Sequence, residues 1–308
     1  MTTLPLPAEV PTRRQFASVR GIVLDDGPER GTRALAFSTG GGLDFWVLTD
    51  RTMDIGPLWH RGVPLAWQHP AGFVAPGLHA SHADTGTGIE RTLSGLLVTC
   101  GLDNARQPAR GLPLHGSLPL TPARLLAHGE DWNAPEPCLF AEGEAIQAHL
   151  SRTSFRLRRR IEAPIGGTSL RIRDRIENIG PGAATLRILY HLNFGFPAVG
   201  PGTLVELDGR KIHPATGEAG PAIACHRSTA PDRFEARLLG RDGLRVTIEG
   251  PVAAFPFVQI WSDPRPRRNV LAIEPANCDR LPDGTSAEGR TLAPGEVWTA
   301  DLAIAIAP

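Results

Sequence analysis

The residues with the clearest capacity for chemistry are two histidines and a glutamate that lie far apart in the chain. His115 lies in PLHGS (113–117), His191 in LYHLNFGFP (189–197) and Glu274 in NVLAIEPA (269–276). Imidazole titrates close to neutral pH, and a carboxyl group buried among apolar residues has its pKa raised toward neutrality. Such a pair can exchange protons with a bound molecule as general acid and general base. The three residues therefore form a candidate acid–base site, provided that the fold brings them together.

Glu274 ends an apolar strand segment and is followed by Pro275, which has no backbone N–H for a sheet ladder. We therefore expect the strand to stop at this point, with the carboxyl group at its apolar end. Desolvation there would give the carboxyl group a pKa near 7, which suits a general base.

The histidine in the middle segment lies on a strand with two different faces. Alternation of side chains divides the segment TLRILYHLNFGF (185–196) into a face of core residues and a face with polar character. The expected core face consists of Leu186, Ile188, Tyr190, Leu192, Phe194 and Phe196. His191 and Asn193 project from the other face, which could form a sugar cleft. A lone histidine on a half-buried face is usually structural, but His115 and Glu274 favour a functional interpretation.

Further polar residues near strand ends are candidate ligands for sugar hydroxyl groups. Arg51 and Asp54 follow the apolar segment 43–50, where a turn-stabilising salt bridge is an equal alternative. The segment GLDNAR contributes Asn104 and Arg106 shortly before His115. Gln259 and Trp261 share one face of FVQIWSD, and sugars stack on aromatic rings of this kind. Trp67 could offer a second stacking surface, but a core position is expected for it.

The elements that must position these residues are short strands. The 34 glycines and 29 prolines interrupt nearly every apolar pattern before it reaches helical length. We expect strands at 43–50, 94–102, 185–194, 244–250, 255–263, 269–276 and 297–306, a hairpin of 154–163 and 169–178 joined by the turn 164–167, and one short helical turn near 121–128. The pattern predicts an all-β fold, a large antiparallel β-sandwich. Residues 1–308 are predicted to form one domain, with residues 1–15 as a loose N-terminal tail.

Charge and composition argue against several classes of partner. Lysine and arginine balance aspartate and glutamate at 32 each, so the whole chain has no electrostatic attraction to nucleic acid or anionic lipid. The predicted hairpin has six arginines on its outer face, but Glu162, Asp174 and Glu177 are expected among them and no aromatic residue is available there for base stacking. The expected partner is therefore neutral or small.

Metal, disulfide and membrane functions also find little support. Cys100, Cys138, Cys225 and Cys278 are widely spaced, which is typical of buried thiols in a reducing compartment. The cluster His79, His82 and Asp84 lies in a glycine-rich loop without a helical frame, so no metal is predicted. The N-terminus has no apolar signal segment and no later run is long enough to span a bilayer. A soluble, cytoplasmic protein is therefore expected.

The ordered set of motifs resembles the aldose 1-epimerases, or mutarotases, of the galactose mutarotase-like superfamily. The set consists of HG at His115, H-x-N-F at His191 and E-P at Glu274, and the text around DRTMDIGPLWH, GLLVTCGLDN and EPAN is similar to a less characterised branch of that family. The resemblance covers roughly residues 40 to 305. Tyr190 stands where the family more often has an asparagine before the histidine, which bears on the choice of sugar.

This resemblance implies a cofactor-free isomerase whose partner is a small-molecule sugar, with a homodimer left open. Glu274 would be the base on the C1 hydroxyl and His191 the acid toward the ring oxygen, with the two groups on opposite sides of one small sugar. His115 would hold a sugar hydroxyl or stabilise charge at the ring oxygen, with Asn193 beside the acid. Two alternatives are a non-catalytic sugar-binding sandwich and another carbohydrate-active enzyme, such as a polysaccharide lyase or a glycosidase. The latter enzymes usually carry a helical domain that this sequence does not suggest.

Overall fold

The computed structural model describes residues 10–212, 220–240 and 243–307, and it confirms the all-β class. In chain order the strands are β1 Ser18–Val23, β2 Arg33–Ser38, β3 Leu43–Leu48, β4 Asp54–His60, β5 Val63–Pro64, β6 Leu97–Leu102, β7 Arg124–Asp131, β8 Cys138–Ala148, β9 Ser154–Pro164, β10 Ser169–Asn178, β11 Ala184–Phe194, β12 Leu204–Leu207, β13 Arg210–Ile212, β14 Ala222–Arg227, β15 Arg233–Leu239, β16 Arg245–Pro251, β17 Phe257–Asp263, β18 Val270–Ala276, β19 Arg290–Leu292 and β20 Val297–Ala307. The helical segments in the described part of the chain are short: Arg13–Gln15, Gly27–Glu29, Ala83–Gly86, Gly88–Arg91 and Leu118–Leu120. Among them there is none with the length and apolar character needed to cross a membrane.

The strands form three antiparallel sheets. The first has the order β1-β2-β3-β4-β5, and the second has the order β13-β12-β15-β16-β20-β10-β9-β8-β7. The third has the order β14-β17-β18-β11-β19, with β6 also paired to β11. The largest buried apolar cluster draws residues from all three sheets, which supports our proposal of a single domain.

The strand expectations are confirmed apart from local differences. All seven strand segments and the hairpin are present, with ends displaced by at most three residues. The helical turn expected at 121–128 is wrong, because β7 occupies 124–131 and pairs along its length with β8. The expected stop at Pro275 is also wrong, since β18 continues to Ala276. Phe196 lies beyond the end of β11 and is 68% exposed rather than part of the core.

The expected loose tail falls partly outside the described residues, which begin at residue 10. Within the described part, Arg13–Gln15 form a turn of 3-10 helix, and the Arg14 side chain donates to Glu130 on β7 at 3.1 Å.

A chain of buried charges lies between the sheets. Arg159 on β9 is 1% exposed and donates to both oxygens of Asp174 on β10, at 2.9 and 2.7 Å, and to Asp54 on β4 at 3.0 Å. The Tyr190 hydroxyl donates to Asp174, and the Thr99 hydroxyl donates to Asp54 at 2.6 Å. Asp174 is expected from the sequence on the outer face of the hairpin, but the residue lies on the core face. Alternation along β10 places it on the same face as Ile172 and Ile176.

The outer face of β9 and β10 is a network of exposed ion pairs. Arginines on this face contact carboxylates on the same or neighbouring strands, including the pairs Arg158–Glu144, Arg160–Glu162, Arg173–Glu162, Arg175–Glu177 and Arg171–Asp301. Local neutralisation of the arginines supports the expectation of a solvated strand face.

We expect Arg159→Met to lower the free energy of unfolding by about 3–5 kcal/mol, because the substitution leaves two buried carboxylates without their cation. The matched control is Arg158→Met on the same strand, where the side chain is exposed and loss of its ion pair should cost less than about 1 kcal/mol. Urea unfolding followed by circular dichroism measures both changes. Equal losses in the two variants would contradict the role assigned to the buried chain.

Candidate active site

One row of side chains crosses the third sheet and forms the floor of a cleft. Cys225 on β14 is paired with Gln259 on β17, and Gln259 is paired with Glu274 on β18. Ile273 is paired with Leu192 on β11, so Glu274 lies beside His191 on the next strand. Residues paired across antiparallel strands project from the same face of the sheet. Strand register thus brings side chains from distant parts of the sequence to one surface.

The three residues singled out from the sequence meet at this surface. His191 Nε2 lies 3.4 Å from Glu274 Oε1. The ring of His115, which comes from a loop, is edge-on to the ring of His191 with 5.3 Å between the ring centroids. The residues expected to act as acid and base are thus adjacent, whereas the sequence resemblance implied that they lie on opposite sides of a sugar. This arrangement still suits one hemiacetal centre, because the hydroxyl and ring oxygens are bonded to the same carbon.

Glu274 is fully buried, and its two oxygens have different surroundings. Oε2 accepts a 2.5 Å hydrogen bond from Gln259 Nε2, whereas Oε1 has no hydrogen-bond donor and only the 3.4 Å contact with His191. Arg106 Nε donates to Gln259 Oε1 at 3.0 Å, which requires the amide nitrogen of Gln259 to face Glu274. One carboxylate oxygen is held in place and the other is available for reaction.

The guanidinium of Arg106 is engaged mainly by groups of the protein itself. Its Nη1 donates to Cys278 Sγ at 3.3 Å and to the Asp279 carbonyl at 3.1 Å, and its Nη2 approaches Cys225 Sγ at 3.7 Å. Arg106 lines the cleft as expected, but these contacts make it a positioning residue for Gln259 and Glu274. All four cysteines are free, and burial raises the pKa of the Cys225 thiol to about 11.

Burial sets the protonation states of the central residues. It raises the pKa of Glu274 to about 7, although the charges of His115 and Arg106 and the Gln259 hydrogen bond act in the opposite direction. Burial also lowers the pKa of His191 to about 4, with a smaller opposing effect of the Asn193 amide. It lowers the pKa of His115 to about 4, and the neighbouring His191 adds to this effect. The raised carboxyl pKa is the one expected from the sequence.

The loop that carries His115 is tightly constrained. His115 has φ of 62°, and its Nδ1 lies 3.0 Å from the Ala105 carbonyl, so a neutral ring donates there and leaves Nε2 as an acceptor. Gly116 follows with φ of 73°, and a Cβ at that position would lie 2.4 Å from the Gly101 carbonyl oxygen. Glycine is therefore required for the close approach of this loop to β6.

Two tryptophans form walls of the cleft, which encloses about 450 Å³. The centroid of the Trp261 ring lies 5.8 Å from that of His191. Trp67 also lines the cleft, contrary to the expected core position, and its indole N–H donates to the Arg268 carbonyl at 2.7 Å. The remaining lining includes Leu93, Leu114, Ile223 and Val270. Flat aromatic walls above a polar floor are typical of sugar sites.

Four of the other predicted ligands are buried and do not line the cleft. Asn193 donates its amide to the carbonyls of Gly95 and His191, at 3.1 and 3.2 Å, and so supports β11. Asn104 donates to the carbonyls of Arg106, Gln107 and Pro113 and joins two loop segments. Neither amide is among the groups that line the cleft.

Arg51 and Asp54 are the other two, and both lie in the core. Asp54 belongs to the buried charge chain, and burial raises its pKa to about 6. Arg51 is 1% exposed and donates to the Thr92 hydroxyl at 3.2 Å, while its Nε and Nη2 have no hydrogen-bond partner in the described part of the chain. Burial lowers the pKa of Arg51 to about 10. Neither side chain lines the cleft, so the structure does not support a role for this pair in binding sugar hydroxyl groups.

Sequence reasoning missed several charged groups of the lining, namely His69, Glu90, Asp263, Arg265, Arg268 and Arg280. Arg280 comes shortly after Glu274 in the segment NCDRLPDG, and Arg265 and Arg268 follow β17 in SDPRPRRN. Their proximity to predicted strand ends was the available signal. At the His79, His82 and Asp84 cluster, Asp84 pairs with Arg91, and among the described residues there is no group of three or more His, Cys, Asp or Glu side chains that could hold a metal ion.

One family model matches the chain. The family model described as Domain of unknown function (DUF4432) matches residues 29–233, more than half of the chain. No curated protein matches the sequence.

Solved structures with the same fold have low sequence identity to the chain. A protein from Klebsiella pneumoniae described as a "putative aldose 1-epimerase" has a TM-score of 0.83 at 18% identity, covering 94% of this chain and 83% of that one. A galactose mutarotase-like protein from Clostridium acetobutylicum has a TM-score of 0.68 at 14% identity, with 95% and 99% covered. A galactose 1-epimerase from Lactobacillus acidophilus has a TM-score of 0.59 at 10% identity, with 94% and 98% covered. These similarities establish the galactose mutarotase-like fold.

We expect the carboxyl group of Glu274 to titrate near pH 7, and Gln259→Met to raise its pKa further by removing the hydrogen bond that favours the charged form. Carboxyl carbon shifts in ¹³C NMR measure both values, with a Glu274→Gln spectrum to assign the resonance. An ordinary pKa of about 4.3 in the unsubstituted protein would contradict the described burial.

Proposed function

The chain belongs to the DUF4432 family and has the galactose mutarotase-like fold, and on this premise we propose that it is an aldose 1-epimerase. The reaction would interconvert the α and β anomers of a sugar. The observation that carries the proposal is the 3.4 Å contact between His191 Nε2 and the otherwise unpartnered Glu274 Oε1 on the cleft floor. A site that only binds sugars needs hydroxyl partners but has no need of such a pair.

The proton count of the pair determines how it would react. Between the apparent pKa values of about 4 and 7, His191 and Glu274 together hold one proton. In the reactive form this proton is on His191 and Glu274 is ionised. The two groups are close enough for the proton to pass between them, so the reactive form is accessible from the neutral one.

Ring opening and closure then need only these two groups. Glu274 takes the proton of the C1 hydroxyl, the bond between C1 and the ring oxygen breaks, and His191 gives its proton to the ring oxygen. The open aldehyde rotates about C1–C2, and the reverse transfers close the ring on the other face. Each positioned proton transfer contributes about 10²- to 10⁴-fold to the rate.

Other residues of the cleft would bind and orient the sugar. Neutral His115 presents Nε2 as an acceptor for a hydroxyl group, because its Nδ1 is directed to the Ala105 carbonyl. Trp67 and Trp261 offer stacking surfaces. Gln259 and Arg106 would hold the carboxylate of Glu274 in the orientation that reaction requires.

We expect Glu274→Gln and His191→Asn each to lower kcat/KM for anomer exchange by about 10²-fold or more, since each removes one proton transfer. Saturation-transfer NMR between the anomers of a panel of aldoses measures the exchange. Glu136→Gln, a substitution of an exposed carboxylate away from the cleft, is the matched control. Exchange that is no faster with the unsubstituted protein than with Glu274→Gln would remove the proposal, and sugar binding without exchange would favour the non-catalytic sandwich.

The pH dependence of kcat/KM should be bell-shaped, with apparent pKa values of about 4 and 7. Below the lower value both groups are protonated and the base is lost, and above the higher value both are deprotonated and the acid is lost. Anomer exchange corrected for the buffer-catalysed rate measures the profile. Activity that rises through pH 7 would show that ionised Glu274 acts without a protonated partner, contrary to the mechanism proposed.

A further inference from the structure

The described lining of the cleft carries more positive than negative charge. It includes four arginines, Arg106, Arg265, Arg268 and Arg280, and three carboxylates, Glu90, Asp263 and Glu274. Arg265 and Asp263 neutralise each other through hydrogen bonds of 2.8 and 2.6 Å. Three guanidinium groups then face two carboxyl groups, one of which is Glu274.

The excess charge is concentrated around Glu274. The partners of Arg106 are neutral thiol, amide and carbonyl groups, and no carboxylate of the described residues lies within ion-pair distance of Arg106 or Arg280. Both arginines lower the pKa of Glu274, so both charges act on the same carboxyl group. Arg280 also acts on the exposed carboxylate of Asp283, whereas Arg268 is itself exposed and its charge acts on Asp263.

Arg280 is held in the wall of the cleft by its own loop. The backbone of Arg280 pairs with that of Ser286 in an isolated antiparallel bridge, and the Arg280 N–H donates to the Asp279 side chain at 2.7 Å. Gly284 lies against the guanidinium, because a Cβ at that position would be 2.9 Å from Arg280 Nη2 and 2.9 Å from Gln107 Cγ. A residue with a side chain at position 284 would displace the guanidinium. The loop thus holds a partly buried arginine in the wall of the cleft, and no carboxylate of the described residues forms an ion pair with its guanidinium.

We propose that the sugar bound in this cleft carries an anionic group, a phosphate or a carboxylate, that is held by Arg280. The inference rests on the proposed function for the identity of the ligand as a sugar. Guanidinium is planar and presents parallel N–H donors that fit either anion, and such charge-assisted hydrogen bonds are among the strong ones. The cleft volume of about 450 Å³ is within the range of sites for small molecules larger than one unsubstituted hexose. Discrimination between a charged sugar and its neutral counterpart would follow from this one contact.

Binding of methyl glycosides tests the inference independently of catalysis, because their anomeric centre is locked. Isothermal titration would compare neutral methyl glycosides of gluco, galacto and manno configuration with their 6-phosphates and the corresponding methyl uronides. We expect at least one anionic form to bind about tenfold or more tightly than its neutral counterpart, and added salt to reduce that preference. The phosphate and uronide arms show which anion the site prefers. Equal affinity of every charged and neutral pair would overturn the inference.

Substitution tests the assignment to Arg280. Arg280→Gln should remove most of the preference for the anionic form, and Arg280→Lys should retain part of it because the charge remains. Arg265→Gln is the matched control and should lower the preference by less than about threefold, since that arginine is already paired with Asp263. Equal effects of the Arg280→Gln and Arg265→Gln variants would overturn the assignment. Retention of the preference in Arg280→Gln would overturn it as well.

The two proposals can fail separately. Preferential binding of an anionic glycoside without anomer exchange of any free sugar would support the charged ligand and remove the epimerase function. Exchange of neutral aldoses without any preference for charged glycosides would support the epimerase function and remove the inference about Arg280.

Discussion

The removal of one carboxylate from water is the constraint on which the candidate site depends. Glu274 is fully buried on the floor of the cleft, and this burial disfavours its charged form. A direct salt bridge to an arginine would lower the pKa of Glu274 and weaken it as a base. The fold instead provides a single amide donor to Glu274, from Gln259. Arg106 donates to Gln259 and forms no hydrogen bond with Glu274 itself. The carboxylate is therefore oriented through one oxygen, while the other retains a proton affinity suited to neutral pH.

Antiparallel strand pairing fixes the positions of the side chains around this carboxylate. Gln259, Glu274 and His191 come from three neighbouring strands, and their registers leave little freedom in the distances between them. Groups placed on rigid strands are positioned more precisely than groups on loops. His115 is the exception, and its loop compensates with backbone hydrogen bonds to Arg106 and Gly101 and with a glycine where no other residue fits.

The two faces of β11 show how the fold treats buried charge in opposite ways. Tyr190 faces the core, where Arg159 is matched by two carboxylates and each charge has a direct partner. His191, the next residue, faces the cleft, where Glu274 Oε1 and Arg280 are left without such partners. Complete pairing stabilises a scaffold, whereas incomplete pairing leaves groups free to act on a ligand. On β11, the fully paired groups around Arg159 lie on the core side and the unpaired groups of the cleft lie on the other side.

The sequence by itself determined the all-β class, most strand positions and the candidates His191, Glu274 and His115, because alternation and apolar context are local properties. Alternation also indicated that Gln259 and Trp261 share a face. Only the tertiary structure decided that Arg51 and Asp54 lie in the core, that Asn104 and Asn193 support backbone segments, and that Trp67 and Arg280 line the cleft. Those assignments depend on which loop crosses which sheet. A local pattern shows that a polar residue follows a strand, but its partners are set by pairing between segments distant in the chain.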